Sequence, residues 1–317
     1  MKYRRWTMML LCFGLTGNLL LSPAYAEHFE DDNLLARIKE EADKRYIPAI
    51  NARIDHAWHA IPGYNGREVD IEKTYEIAQK NPNRIDFIYR EIPPTVNLEQ
   101  LGVEPIYRGN PGKPMVSIMV NVAWGDEYIP TILDVLEKEQ VHATFFFDGS
   151  WLSKHMDMAK QIGERGHELS NHAYSHKNMS RLSKQQAIEE ISKTEALLKQ
   201  LHVQNQLFAP PSGDYSMETV RIAHALQLKT VLWTLDTVDW KHPSPESIVQ
   251  KISNKVEPGM MILMHPTDSS SQALERMIKG IKQKGYVLGT VSDLLSTKRI
   301  PEERTSLHEE PTESIAN

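Results

Sequence analysis

Cysteine is almost absent from this sequence of 317 residues, since Cys12 is the only one. It lies in an apolar segment near the N-terminus, without the small residues just before it that lipid attachment requires. If that segment is removed, the chain has no thiol. It then has no disulfide and no thiolate that could act as a nucleophile or bind a metal. Any chemistry must come from histidine, carboxylate and hydroxyl groups.

Long apolar runs are also missing beyond the first segment. Three basic residues precede an apolar stretch that begins at Trp6, and Ala24 to Ala26 supplies the small residues favoured before a cleavage site. The stretch is short and diluted by Gly and Thr, which favours a cleaved signal peptide over residues 1–26. An uncleaved membrane anchor stays open. We therefore expect a secreted or cell-envelope protein with no stable transmembrane segment after signal cleavage.

Positive charge is not in excess. The chain has 36 Lys and Arg against 42 Asp and Glu, a formal net charge of -6. This balance argues against binding nucleic acid through a basic surface. Hydrophobic residues make up 40% of the chain and are spread along it, which predicts one large folded domain and something smaller.

Stretches rich in Pro and Gly indicate the domain boundary, the clearest being RGNPGKP before Met115. We place a small N-terminal α/β module over residues 27–112 and the main domain over residues 113–297. The tail, residues 298–317, is rich in Glu, Pro, Ser and Thr and is predicted to be disordered.

Within the N-terminal module, a helical pattern runs from Asp32 to about His59, and Pro48 divides it into two helical pieces. A short strand follows, then a helix with Asp70 near its start, then a second strand.

Beyond Met115, strands and helices alternate regularly. The candidate strands are VSIMVNVAW, HATFFF, HELSN, LFAPP, KTVLWTL, MMILM and YVLGTV. Strict alternation implies a parallel sheet covered by helices, either a doubly wound open sheet or a closed barrel. About seven strands favour barrel-like closure.

Polar residues lie at or just after the C-terminal ends of several of these strands. They are Asn121, His172, Ser212, Asp236, Asp239 and His265. In parallel α/β folds the loops converge at this edge and build active sites there. We therefore expect the functional site at this edge.

The pair His172 and His176 has the i, i+4 spacing that presents two imidazoles to one metal ion from a single helical turn. The chain has 13 histidines, so accidental pairs are common and an ordinary surface or core role stays open. The position of the pair after a strand favours the metal.

Two further motifs carry a carboxylate, a tryptophan and a histidine. Trp240 follows Asp239, and its flat ring could stack on a sugar or line an acetyl pocket. His265 ends an apolar strand, and Asp239 nearby could hold it in one tautomer for general acid catalysis. A helix-capping aspartate and a core tryptophan are the alternative interpretation.

The order of these motifs resembles the polysaccharide deacetylase family, also called the NodB-homology domain or carbohydrate esterase family 4. The resemblance covers roughly Lys113 to Ser296 and rests on ATFFFDG, NHAYSH, APPSG, DTVDW and ILMH. It implies an α/β fold with a distorted (β/α) barrel of about seven parallel strands. It also implies removal of N-acetyl groups from amino sugars in chitin or peptidoglycan, with a divalent metal, commonly zinc, held by one Asp and two His.

The resemblance assigns roles to individual residues. His172 and His176 match the histidine ligands, Asp239 the carboxylate that tunes the acid, and His265 the general acid. The candidates for substrate binding are Trp240, Pro211 and Trp124.

The first motif departs from the family. Asn121 and Val122 stand where the family has the aspartate base and the aspartate metal ligand. An amide has no useful basicity and valine has no lone pair, and two histidines alone bind zinc weakly. We therefore expect a weakly bound or absent metal. Ala209 also replaces the family's arginine, which orients the base.

Three functions remain open at this stage. The first is an active but divergent deacetylase in which Asp126 or Glu127 replaces the lost carboxylates. The second is a catalytically inactive protein that binds N-acetylated cell-wall glycan, such as peptidoglycan. The third is a structural envelope protein whose N-terminal module is the functional part.

Overall fold

The structure is a computed structural model that describes residues 23–80 and 85–301, with side chains from residue 33 onward. The chain divides into two compact units, one formed by Met1–Tyr46 and Glu68–Arg90 and the other by Ile47–Arg67 and Glu91–Asn317. The predicted signal peptide and tail lie almost entirely outside the described residues. Both stay predictions, as does the domain boundary at residue 112. Among the described helices, none combines the length and hydropathy needed to cross a membrane.

The first unit contains helices α1 (Pro23–Lys44) and α2 (Ile71–Ala78). Leu34 and Ile38 of α1 pack with Ala78 of α2 in a small core. The side chain of Asp70 accepts a hydrogen bond from the backbone N–H of Lys73, which satisfies one free donor at the start of α2. This confirms the helix start that the sequence predicts at Asp70.

The helical piece predicted after Pro48 is wrong. Strands β1 (Arg53–Asp55) and β2 (His59–Ile61) form an antiparallel hairpin there. The carboxylate of Asp55 accepts hydrogen bonds from two backbone N–H groups in the turn, and this local bonding competes with a helix. Strands β3 (Gly66–Val69) and β4 (Tyr89–Ile92) form a second two-stranded sheet.

The second unit is built around a parallel sheet of eight strands. They are β5 (Met115–Val122), β6 (Thr144–Phe147), β7 (Glu168–Asn171), β8 (Leu207–Phe208), β9 (Lys229–Thr230), β10 (Leu235–Asp236), β11 (Met261–Met264) and β12 (Val287–Gly289). Seven of them follow the order β10-β11-β5-β6-β7-β8-β9, and β12 pairs with the beginning of β5. This curled half-barrel confirms the predicted distorted (β/α) barrel.

Helices follow most of the strands and cover the sheet. They are α3 (Ile129–Lys138), α4 (Gly149–Leu152), α5 (Met156–Glu164), α6 (Lys184–Gln200), α7 (Met217–Ala225), α8 (Pro245–Lys255), α9 (Asp268–Gln283) and α10 (Val291–Leu295). Ser183 and Gln186 form a reciprocal capping box at the start of α6.

The predicted strand KTVLWTL is divided into β9 and β10. After β9, the chain leaves its pairing with β8, and the N–H of Leu232 donates to the carbonyl of Ile106. Ile106 forms a parallel bridge with Val231, while Arg108 forms an antiparallel bridge with Met260. A segment before β5 therefore lies beside the sheet where β9 and β10 are separated.

The two faces of β5 pack in different cores. Met115 and Met119 belong to the core that contains Phe146, on the inner side of the curled sheet. Val120 and Val122 belong to the core formed with the covering helices. Because side chains alternate along a strand, Asn121 lies on the inner side.

Candidate functional site

The end of β5 carries the two altered positions of the first motif. Asn121 is 3% exposed, and its side-chain oxygen has no hydrogen-bond partner in the part of the chain that the structure describes. Val122 is fully buried in the core that also contains Ile129 of α3. The structure therefore leaves a free acceptor at position 121 and an apolar core residue at position 122.

His172 lies at the end of β7, where its backbone N–H donates to the carbonyl of Phe147. Its ring Nδ1 lies 2.7 Å from the carbonyl oxygen of Ala209. A carbonyl only accepts, so Nδ1 carries the hydrogen and Nε2 keeps its lone pair. Burial, and then the neighbouring His176, lowers the pKa of His172 to about 3, which keeps the ring neutral near neutral pH.

His176 lies beside His172, with 5.3 Å between the ring centroids and 71° between the ring planes. The two histidines are in a loop and not on a helical turn, so that part of the prediction is wrong. Ala173 and His176 have φ values of 60° and 52°, which no α-helix contains. Glu190 of α6 holds the loop by accepting hydrogen bonds from the N–H groups of Tyr174 and Ser175.

Asp239 and His265 form a buried pair. One carboxylate oxygen of Asp239 lies 2.8 Å from Nδ1 of His265, and the other accepts the backbone N–H of His265 at 2.6 Å. Asp239 is fully buried. The bond to Nδ1 fixes the tautomer and leaves Nε2 of His265 free to contact a ligand. We refer to His172, His176, Asp239 and His265 as the histidine site.

Trp124 contacts two members of the histidine site, His265 and His176. Its ring stacks on His265 at 5.3 Å and 13°, and it meets His176 edge-on at 6.4 Å. The ring is nevertheless 45% exposed. The next residue, Gly125, has φ 80°, and a Cβ there would collide with the carbonyl oxygen of Pro266. Glycine therefore allows the close approach that places Trp124 against His265.

Trp240, the other predicted stacking residue, follows Asp239 in a short 3₁₀ helix and is 50% exposed. The ammonium group of Lys241 lies 4.8 Å from its ring centroid. The indole ring is accessible from solvent, and Trp240 follows the buried Asp239 directly in the chain.

The other residues predicted at this edge of the sheet are Pro211, Ser212 and Asp236. Pro211 is buried at the start of a 3₁₀ turn, and its contact with substrate stays a prediction. Ser212 is exposed with φ 55°. The carboxylate of Asp236 accepts the N–H of Val238 and shapes the turn after β10.

Asp126 and Glu127, the acidic residues considered as replacements for the lost carboxylates, form a 3₁₀ turn just before α3. The carboxylate of Asp126 lies 3.9 Å from Nε2 of His155.

A catalytic zinc site needs three protein ligands, and the residues present do not meet this need. His172 and His176 offer two imidazole nitrogens, while Val122 is apolar. No group of three His, Cys, Asp or Glu within residues 33–80 and 85–301 is placed to hold a metal ion. The residues present therefore do not form the donor set of a catalytic zinc site.

Two polar groups near the site were not found from the sequence. The backbone carbonyl of Ala209 orients His172, and a backbone partner leaves no signal in residue type. Asp148, directly after the apolar strand β6, is 2% exposed. One of its oxygens caps α4, and the other has no partner in the described part of the chain. An aspartate directly after TFFF is the signal that could have identified it.

Comparison with known proteins now identifies the family. A family model described as polysaccharide deacetylase matches residues 108–231. The chain is 43% identical to the uncharacterized protein YlxY of Bacillus subtilis. The match spans 272 residues, which is 85% of this chain and 85% of that protein. The chain is 33% identical over 179 residues to a peptidoglycan-N-acetylglucosamine deacetylase of Bacillus cereus, covering 55% of this chain and 65% of that protein.

Solved structures of similar proteins belong to the same family. Wild-type BA3943, a CE4 family pseudoenzyme from Bacillus anthracis, is 42% identical with a TM-score of 0.79, over 84% of this chain and 96% of that one. A mutant of BA3943 with restored enzymatic activity has the same TM-score at 40% identity, over 84% of this chain and 99% of that one. The fold and site thus define a deacetylase-type barrel, and the chain belongs to the polysaccharide deacetylase family.

We expect acid to destabilise the fold through two buried histidines. Burial lowers the pKa of His172 to about 3 and that of His167 to about 4, from about 6.5 in an unfolded chain. The unfolded state therefore binds these protons first, and stability falls as the pH falls below about 6.5. Thermal unfolding followed by circular dichroism should show a melting temperature lower by about 5 to 10 °C at about pH 4.5 than at about pH 7.

The variant His167→Gln removes one of the two groups, so its melting temperature should depend less on pH. A wild-type melting temperature that is constant across this range would contradict the assignment of the two histidines as neutral and buried.

Proposed function

We propose that this protein binds N-acetylated cell-wall glycan, such as peptidoglycan, at the histidine site and does not hydrolyse it. The observation that carries the proposal is the end of β5. The family's base and third metal ligand are replaced there by the amide of Asn121 and by Val122, which packs in the core. The amide of Asn121 cannot take a proton at neutral pH, and Val122 has no lone pair to offer a metal.

Two tryptophans and His265 provide the features of a sugar-binding surface. Trp124 and Trp240 expose about half of their surface, and aromatic rings of this kind stack on the apolar faces of sugars. His265 presents a free Nε2 that can exchange a hydrogen bond with a hydroxyl or an acetamido group.

The named relatives support a cell-wall ligand. A relative from Bacillus cereus is a peptidoglycan-N-acetylglucosamine deacetylase, and a structural neighbour is described as a pseudoenzyme whose mutant regains activity. The predicted signal peptide would bring the protein to the cell envelope, where such a glycan is found.

An active deacetylase is the second candidate, and the intact pair of Asp239 and His265 favours it. It needs a third ligand beside His172 and His176, however, and no group of three His, Cys, Asp or Glu within the described residues is placed to hold a metal ion. Incubating the purified protein with Zn²⁺ and N-acetylglucosamine oligomers tests this directly. Acetate release above that of a His265→Ala variant would overturn the proposal of a binding protein.

Replacing Trp240 by alanine should weaken glycan binding by about tenfold, because the stacking surface is lost. A pull-down on insoluble peptidoglycan measures the fraction retained. Ile77→Ala removes another exposed apolar side chain, 43% exposed and in the first unit, and should bind like the wild type. Equal retention of wild type and Trp240→Ala would rule out stacking on Trp240.

A further inference from the structure

A second group of aromatic residues lies where the β1–β2 hairpin meets the segment before β5. Tyr107 stacks on His59 at 5.7 Å and 21°, and its ring centroid lies 6.4 Å from that of Trp58. The hydroxyl groups of Tyr107 and Tyr215 are 2.9 Å apart. We call these four residues the hairpin aromatic cluster. All four are partly exposed, so a ligand can reach the cluster from solvent.

The cluster is held in a fixed arrangement. The carboxylate of Asp55 accepts the N–H groups of Ala57 and Trp58 and so fixes the turn that carries the Trp58 ring. These two hydrogen bonds also lower the pKa of Asp55, which keeps the turn intact above acidic pH. His59 has φ 53° and forms an antiparallel bridge with Ile106. Positive φ in a non-glycine residue is typical of positions where surrounding structure fixes the backbone for function.

The tyrosine pair supplies a hydrogen-bond donor that has no partner among the described residues. Each hydroxyl has one hydrogen, and the bond between Tyr107 and Tyr215 uses only one of the two. Burial and the Tyr215 hydroxyl raise the pKa of Tyr107, so its hydroxyl stays protonated at physiological pH. The pair can therefore donate one hydrogen bond and accept others, as a sugar hydroxyl requires.

Arg108 contacts the buried side of the cluster. Its guanidinium lies 5.9 Å from the ring centroid of Trp58 and donates to the carbonyl of Pro258. The side chain is 9% exposed, and its Nε is buried without a hydrogen-bond partner among the described residues. A cation next to an aromatic ring is attracted to that ring, so Arg108 helps to fix the position of Trp58.

A short stretch of chain connects the cluster with the histidine site. The carbonyl of Ala209 accepts a hydrogen bond from His172. Tyr215 is six residues beyond Ala209, and six residues span at most about 21 Å. The stretch is more compact than that, because Pro211–Gly213 form a 3₁₀ turn. Trp233 packs against Gly213 in the middle of it. A single glycan chain of several sugar units can therefore contact both places.

We infer that the hairpin aromatic cluster is a second glycan-binding surface, which holds sugar units beyond those at the histidine site. This inference rests on the proposed function, and it gives the hairpin before the deacetylase domain a role in binding. The occupant is a long N-acetylated glycan chain, because aromatic faces combined with neutral hydroxyl groups recognise sugars. Sugar units held at the cluster add contacts to those at the histidine site, so affinity should rise with the length of the glycan chain.

Isothermal titration calorimetry with N-acetylglucosamine oligomers tests this inference. The wild type should bind a hexamer about tenfold more tightly than a dimer. Trp58→Ala should reduce affinity for the hexamer to that for the dimer and leave dimer binding unchanged. Ile54→Ala, which removes an exposed apolar side chain from the same hairpin, should keep the length dependence, and Trp58→Phe, which retains an aromatic face, should keep most of it.

The outcomes separate the two proposals. If the wild type gains affinity with length and Trp58→Ala retains that gain, the cluster is not a glycan surface, while binding at the histidine site stands. If affinity does not change with length, the same conclusion follows. If no oligomer binds the wild type, both proposals fall. Circular dichroism of Trp58→Ala, compared with Ile54→Ala, shows whether the hairpin variant remains folded.

Discussion

The double variant Asn121→Asp, Val122→Asp is expected to bind one equivalent of zinc and to release acetate from N-acetylglucosamine oligomers. The wild type should do neither. A carboxylate at position 121 supplies a base on the inner side of β5, and one at position 122 supplies a third ligand to join His172 and His176. Restoring a general base is worth about 10² to 10⁴ in rate. Metal analysis after dialysis and an acetate assay measure the two effects.

The position of Val122 predicts a cost that accompanies this gain. Its side chain is fully buried among apolar residues between the sheet and α3. A carboxylate at position 122 must turn out of that core or remain there without a partner, and the second case costs about 2 to 4 kcal/mol. We therefore expect the double variant to be less stable than the wild type without zinc and to recover stability when zinc is added.

His172→Ala in the double variant is the matched control. It should abolish both zinc binding and acetate release, because only one imidazole remains. A double variant that is folded and holds zinc but releases no acetate would show that the lost carboxylates are not the reason for inactivity. Acetate release by the wild type at a similar rate would contradict the proposed function itself.

The main domain could be predicted from the sequence because its signals are local. An apolar run such as TFFF identifies a buried strand whatever surrounds it, and alternation with helices identifies a parallel sheet. The division of KTVLWTL into β9 and β10 could not be predicted. It arises from the bridge between Ile106 and Val231, which joins residues more than one hundred positions apart. The hairpin after Pro48 was missed because the turn bonds of Asp55 outweigh a weak helical pattern.

The sequence predicts which polar residues follow the strands but not the contacts between them, and the roles of these residues stay predictions. The position of His265 at the end of an apolar strand sufficed to place it near Asp239. The stack of Trp124 on His265 depends on the close approach of Gly125 to Pro266, which residue types do not reveal. The i, i+4 spacing of His172 and His176 predicts a helical turn. Spacing alone does not distinguish a helix from a loop with two positive φ angles.

The retained pair of Asp239 and His265 has a structural explanation that does not require catalysis. Asp239 is fully buried and accepts both the backbone N–H and the ring Nδ1–H of His265. Without the carboxylate, two donors at the end of β11 would lose their partner inside the protein. An inactive protein would therefore still keep Asp239, so this pair by itself does not decide between an active and an inactive protein.

Asp239→Ala is accordingly expected to destabilise the fold by about 3 to 5 kcal/mol, which urea unfolding followed by circular dichroism would measure. Asp236→Ala is the matched control. Asp236 lies three residues earlier and, within the described part of the chain, accepts one hydrogen bond, from the backbone N–H of Val238, so its loss should cost about 1 kcal/mol. Asp239→Asn keeps one acceptor and should fall between the two. If Asp239→Ala is no less stable than Asp236→Ala, the carboxylate does not stabilise the fold, and its retention would need a functional reason.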